Sequence, residues 1–244
     1  MSDFLWLQPG TFLNQVFSNN TLFDAEIIAP SNDVSEIIWN FKEPQNNILL
    51  KFSGKSSPEV YGVSLESQYG VIVDNVAMRG CAGNIFTSID FSLLKKMMNK
   101  LNVKLILLQY GGNVVPHIVD DYGYYENIIQ RQIQYLRKAC PEAEVLVIGL
   151  ADMSVKEKNR YVTYPNLEKV KSSLKAGAIK AGAAYWDMYN AMGGKNSMPS
   201  WVFAQPPLAS KDFVHFNPRG AAIVAQMFYN ALMFEYGVFE KKEQ

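Results

Sequence analysis

Two rhythms of apolar and polar positions divide this chain, and they change over near residue 66. Up to that point the apolar runs are short and broken by Asn, Ser, Pro and Gly: EIIAP, SEIIWNF, NNILLKFSG and EVYGVSLES. No helical period is sustained across them. In NILLKFSG the residues Ile48, Leu50 and Phe52 alternate, the period of two that half-buries a strand. The pattern predicts antiparallel β structure over residues 1–66, part of a small sandwich. Its edges need either further strands or a surface to dock on.

Beyond Gly70 the pattern becomes strand, helix, strand, helix. A β run is expected at 71–76 (VIVDNV), then a loop, MRGCAGNIF, then helical spacing in SLLKKMMNKL at 92–101. KLILLQY, 104–110, is a nearly continuous apolar run of the kind buried on both faces of a parallel sheet. A helix at about 124–139, a strand at 144–149 (EVLVIG), a helix starting near Pro165, a strand at 183–187 (AAYWD) and a last helix from Pro218 to about Tyr236 complete the series. Alternating units of this size predict a three-layer α/β fold with a mostly parallel sheet over residues 67–244. Ligands bind such sheets at the carboxyl ends of the strands. The loops at 77–86, 110–117, 150–154 and 188–215 are therefore expected on one rim.

Composition removes several classes of function. Lys+Arg 23 balances Asp+Glu 23, so no bulk charge recruits nucleic acid or an anionic membrane. Cys81 and Cys140 stand too far apart in sequence for a metal cluster, make no disulfide framework, and read as two buried free thiols. No cluster has metal-ligand spacing, and no cofactor is implied. The first residues have no basic segment followed by an apolar run, so no signal peptide is read there, and no stretch approaches transmembrane length.

The candidate chemistry lies on the expected rim. KDFVHFNPRG, 211–220, offers a carboxylate at Asp212 and an imidazole at His215. Asn217 and Pro218 then supply a cap and a first turn for the last helix. A carboxylate three residues before a histidine can orient the ring and stabilise its imidazolium form, as an acyl-transfer base requires. In DNVAMRGCAGN, Gly80 and Gly83 let the backbone come close to a ligand and present N–H groups. In QYGGNVVP, Asn113 follows Gly111 and Gly112 just past a buried strand, where its amide can donate to an oxyanion. Each feature alone has a plain structural reading: a turn, a cap, a surface pair. Arg79 either holds a substrate carboxylate or hydroxyl or makes a structural salt bridge. Trp201 either stacks on a sugar ring or packs on the Met-rich loop around it. His117 reads as a loop histidine satisfied by backbone or water.

Taken in order, Gly80, the Gly111-Gly112-Asn113 block and the Asp212-x-x-His215 block resemble the SGNH (GDSL-like) hydrolases, over roughly residues 60–240. The resemblance implies an α/β esterase in which the Gly80 N–H and the Asn113 amide are oxyanion donors, His215 is the general base and Asp212 orients it. The stretch WDMYNAMGGKNSMPSWV and the β-rich module ahead of the glycine block are similar to carbohydrate-directed members, which deacetylate polysaccharides or peptidoglycan. An acylated carbohydrate or small ester would then be the substrate, and a secreted or periplasmic place of work follows from the family.

One part of the family pattern is missing. The nucleophilic serine of these enzymes sits in a Gly-Asp-Ser motif ahead of the glycine block, and no Gly-Asp-Ser occurs in this sequence. Ser53 precedes a glycine in FSGKSS and Ser2 precedes Asp3, but neither follows a buried strand with the expected turn. The expectation is a C-terminal portion of a longer esterase, or one half of a split one, whose serine comes from a missing N-terminal segment. The alternative is a non-catalytic glycan-binding module derived from such a hydrolase.

Overall fold

The computed structural model describes residues 2–8, 12–29, 31, 33–55, 58–67 and 69–243. The chain divides into two compact units, Met1–Ala77 and Met78–Gln244.

The first unit holds β1 (Ser2–Gln8), β2 (Phe12–Ser18), β3 (Thr21–Ile28), β4 (Ser35–Asn40), β5 (Ile48–Gly54) and β6 (Glu59–Glu66). They form two antiparallel sheets, β4-β1-β6 and β3-β2-β5. Phe12 and Val16 of β2 are buried in one cluster with Ile37 and Trp39 of β4, and Ile48, Leu50 and Phe52 of β5 pack against it. The alternation read along β5 is thus the inward face of a strand. β2 and β3 are joined by Asn19 and Asn20, both at positive φ (48° and 65°). Asparagine tolerates that left-handed backbone, which a tight two-residue hairpin demands.

Residues 71–76 correct the sequence reading. The expected strand VIVDNV makes no ladder, and Val71, Val73 and Val76 are each more than four-fifths exposed. A strand is stabilised by paired backbone groups and a covered face, and among the described residues this segment has neither.

The second unit holds α1 (Phe91–Lys100), β7 (Leu105–Gln109), α2 (Gly123–Ala139), β8 (Glu144–Ile148), β9 (Ser154–Glu157), β10 (Arg160–Thr163), α3 (Leu167–Lys180), β11 (Ala184–Trp186), α4 (Met188–Ala191), α5 (Met198–Val202) and α6 (Pro218–Glu243). Its sheet is parallel in the order β11-β8-β7, as expected of an α/β fold. Ile129, Ile133 and Leu136 recur at helical spacing on α2 and meet Val170, Leu174 and Ala178 of α3 over Val145 and Val147 of β8. A helical stripe laid on a two-sided strand explains why these runs read so clearly. The β9–β10 hairpin was not anticipated, because SVKEKNRYVT carries too few apolar residues to show a period.

Among the described residues β7 pairs with β8 on one side only. Leu108 is buried, but Leu105 and Leu107, on the opposite face, are 43% and 42% exposed. A run as apolar as LILL is suited to cover on both faces, and here one face is open.

At the start of α6 the sequence behaves as read. The Asn217 side chain accepts from the Arg219 and Gly220 N–H groups at 3.0 and 3.1 Å, capping the helix. Its amide donates to the Pro207 carbonyl at 2.7 Å, tying the cap to the preceding loop. On this helix Val224 packs against a buried cluster and Phe228 meets Trp186, whereas Tyr236 is half exposed. Among the described residues no helix is long and apolar enough to cross a membrane.

Two glycines of α6 make a matched test. A Cβ at Gly220 would lie 1.9 Å from the Leu208 carbonyl oxygen, while one at Gly237 would meet nothing within 4 Å. Gly220→Ala is expected to cost about 1–3 kcal/mol, the usual range for overpacking. Gly237→Ala should be neutral or stabilising by up to about 1 kcal/mol, from helix propensity. Urea denaturation of both variants checks the pair, and equal effects would contradict the packing described.

Candidate active site

Three connections leave the carboxyl ends of the parallel strands on one rim. Gly111–Asn113 follows β7, Leu150–Asp152 follows β8, and the long passage from Asp187 to Asn217 follows β11. The strands are parallel, so the side on which these loops emerge is fixed by topology.

Asp212 and His215 come together as the sequence suggests. His215 Nδ1 lies 2.7 Å from Asp212 Oδ2. The other carboxylate oxygen, Oδ1, accepts from the Val214 N–H at 2.9 Å and from the His215 N–H at 3.1 Å. One carboxylate therefore fixes both the ring and the backbone that carries it. Partial desolvation pushes the Asp212 carboxyl up. The hydrogen bonds from the His215 ring and from the His215 and Val214 N–H groups, with the attraction of His215, outweigh that and hold it below the ordinary carboxylate value. An ionised Asp212 accepts a hydrogen bond from Nδ1–H, which leaves the Nε2 lone pair free to act as a base. The His215 side chain is 76% exposed, so the pair contributes little as a surface ion pair. Its significance is geometric.

The turn between the two residues is strained. Phe213 has φ +59°, unusual for an aromatic residue. It is held there from several sides. Its N–H donates to the Ser210 carbonyl at 3.1 Å and its carbonyl accepts from the Ser154 N–H at 2.9 Å. Its ring stacks on Tyr161 of β10, with centroids 3.5 Å apart and planes 9° apart, and meets Phe203 edge-on.

The glycine and asparagine blocks also meet. The Asn113 amide donates to the Cys81 carbonyl at 3.0 Å, linking the end of β7 to the loop that carries Gly80. The Tyr125 hydroxyl on α2 donates to the Ala82 carbonyl at 3.1 Å from the other side, and burial raises its pKa, so it remains a donor. An amide nitrogen has two hydrogens. With one bonded to Cys81, the other stays available beside an exposed loop. Gly80 has φ +73°, and among the described residues its N–H has no protein acceptor. Gly111 has φ +110°, and a Cβ there would fall 2.5 Å from Leu150 Cδ2, so only glycine turns the chain into the Asn113 position.

Other candidates stand elsewhere. Trp201 is buried; its indole N–H donates to the Met192 carbonyl at 2.9 Å and its ring packs on Phe216. Of the two readings offered, packing is the one seen, because the polar edge and a ring face are already engaged. Arg79 is exposed and makes no ion pair among the described residues. Cys81 is half-buried rather than buried, with its sulfur accepting from the Gly83 N–H at 3.3 Å. His117 is exposed, and its carbonyl accepts from the Tyr122 hydroxyl. Asp152 follows β8 in the stretch GLADMS. It is fully buried, and its carboxylate accepts from the Thr163 hydroxyl and the Met198 N–H. Nothing in that stretch marks the burial. Among the described residues no hydroxyl is hydrogen-bonded to the His215 ring.

An α/β unit with a base–carboxylate pair and two potential oxyanion donors on one rim is the outline of a hydrolase. The GDSL-like lipase/acylhydrolase family model matches residues 45–223, most of the chain, and the chain belongs to that family. Among solved structures, a peptidoglycan O-acetylesterase superposes with a TM-score of 0.77 at 19% identity, over 95% of this chain and 63% of that one. The chain thus spans less than two thirds of that relative's length. A family two carbohydrate esterase from Clostridium thermocellum, solved with cellohexaose, matches 97% of this chain and 90% of its own at 10% identity; its TM-score, 0.38, is too low to bear on the fold. A search of curated proteins gave no match.

The carboxylate carries a pH prediction. Because Asp212 is depressed in the folded state, its stabilisation is complete above the unfolded carboxylate value, about 3.9. It is lost as the pH falls through the lower folded-state value. The gap in urea midpoint between the parent chain and Asp212→Asn should be open at about pH 5 and narrow as the pH falls below about 4. A gap that widens on acidification would contradict the geometry.

Proposed function

We propose that this chain is the base-bearing part of an acylesterase that removes O-acetyl groups from a glycan or peptidoglycan. The observation that carries the reading is the Asp212 carboxylate bonded to His215 Nδ1, which leaves Nε2 as a base on the same rim as Asn113. Family membership and the fold shared with a peptidoglycan O-acetylesterase support it. A substrate of that kind places the enzyme's work in the periplasm or outside the cell.

In this reading His215 Nε2 takes the proton of a serine hydroxyl as its oxygen attacks the ester carbonyl. The tetrahedral oxyanion is held by the Gly80 N–H and the free Asn113 amide hydrogen. Collapse expels the glycan alkoxide, which receives the proton from His215. Water, deprotonated by the same nitrogen, then releases acetate and restores the serine. Arg79 lies next to Gly80 and is open for a substrate oxygen. Trp201 serves as packing.

The serine is supplied by a strand outside these 244 residues. Support comes from the free edge of β7 with Leu105 and Leu107 uncovered, and from a His215 ring that no described hydroxyl engages. A strand on that edge, parallel to β7, would end on the rim beside Asn113 and His215.

A fluorophosphonate probe with intact-mass detection tests both parts. Residues 1–244 alone should give no adduct, and a form that includes the serine-bearing strand should give one that disappears in His215→Ala. An adduct on a serine within the 244 residues would refute the external nucleophile. No adduct and no hydrolysis of acetylated glycan by either form would leave a glycan-binding module instead. In the complete enzyme, His215→Ala is expected to lower kcat at least about 10²-fold. Asn113→Ala should lower it about 10²–10³-fold with KM little changed, as loss of a donor used only in the transition state requires.

A further inference from the structure

We propose that Asp152 is a positioning residue for the Asp212–His215 pair, acting through the β9–β10 hairpin and Phe213. The inference rests on the reading of that pair as the working base and its orienting carboxylate.

Asp152 is 0% exposed, and it is joined to three separate pieces of chain. Its Oδ1 accepts from the Thr163 hydroxyl at 2.7 Å, at the end of β10. Its Oδ2 accepts from the Met198 N–H at 2.8 Å, at the start of α5, and its own N–H points at the Met192 sulfur at 3.0 Å. Thr163 extends the connection. Its hydroxyl oxygen accepts from the Asn196 N–H at 2.7 Å while its own N–H donates to Asn196 Oδ1 at 2.9 Å. A buried carboxylate is costly unless its oxygens are satisfied by directed donors, and these donors come from elements far apart in sequence. The carboxylate therefore fixes where the base of the hairpin sits relative to the 192–198 loop.

From that base the hairpin reaches the pair. Thr163 is opposite Ser154 in the β9–β10 ladder. Ser154, two residues after Asp152, donates its N–H to the Phe213 carbonyl. Tyr161, two residues before Thr163 and on the same face of β10, stacks on the Phe213 ring. Phe213 is the residue held at positive φ, and it directly follows Asp212. If it relaxes to an ordinary backbone, Oδ1 cannot keep both the Val214 and His215 N–H groups while Oδ2 keeps the ring. The hydrogen bonds of Asp152 go to Thr163, Met198 and Met192, and none goes to the His215 ring or to Asn113. Its effect passes through Thr163, Ser154 and Tyr161 to one backbone turn.

The chain's two histidines make the test direct, because ¹⁵N imidazole shifts of His215 can be read with His117 as an internal reference. In the parent chain His215 should be mainly in the Nδ1–H form, with Nε2 unprotonated, at a pH where the ring is neutral. Asp152→Asn replaces one acceptor oxygen with a donor, and Thr163→Val removes the hydroxyl while keeping the shape. Both should move His215 toward the Nε2–H form and leave His117 unchanged, and Thr163→Ser, which restores the hydroxyl, should restore the parent spectrum. Folded Asp152→Asn and Thr163→Val proteins whose His215 spectrum equals the parent's would overturn the proposal. If Asp152→Asn does not fold, the Thr163→Val and Thr163→Ser pair decides it. Asp212→Asn separates the two layers. If it leaves the His215 tautomer unchanged, the pair itself is misread; if it shifts the tautomer and the Asp152 and Thr163 variants do not, only the positioning role fails.

Discussion

One carboxylate with three donors organises the chemical end of this molecule. Asp212 holds the His215 ring with one oxygen and the Val214 and His215 backbone with the other. That arrangement exists only because Phe213 turns the chain through a left-handed backbone. An aromatic residue does not adopt this conformation unaided. The surrounding fold over-determines it, through a ladder-like bond from Ser154, a stacked ring from Tyr161 and an edge contact from Phe203. The exposed pair on the surface is thus the outward end of a packed and hydrogen-bonded support.

The Asn113 side is built by a different device. Asn113 is delivered by a glycine turn at the end of β7 and anchored by giving one amide hydrogen to Cys81. Tyr125 closes the same loop from α2. Both side chains are fixed by the fold itself, as the oxyanion role proposed for Asn113 requires. Strand ends, a helix side chain and backbone carbonyls do this together, and no residue of the set is buried with its charge unpaired.

The parts of this design that sequence could reveal are those carried by local chemistry or by strong periodicity. The stripes of α2 and α3, the apolar runs of β7 and β8, the Asn217 cap and the Asp212–His215 spacing all follow from residues close together in the chain. What escaped was long-range. Trp201 offered a ring that reads equally well as a sugar platform or as core, and only the bond to Met192 separates the two. Asp152 has the same appearance as any acidic residue after a strand; its donors, Thr163 and Met198, lie 11 and 46 positions away. The polar hairpin between β8 and α3 has no hydrophobic period at all. VIVDNV failed in the opposite sense, since its composition suits a strand but a strand also requires a neighbour.

The free side of β7 also has a bearing on handling. Its outward N–H and C=O groups form a row that any extended chain can match, and the adjoining leucines offer a dry face to whatever arrives. Such a border pairs with any extended chain, other copies of itself included, by the same hydrogen bonds. Turbidity and light scattering of the isolated chain therefore become a gauge of that edge: a solution that clears when the edge is covered would report the cover independently of any turnover.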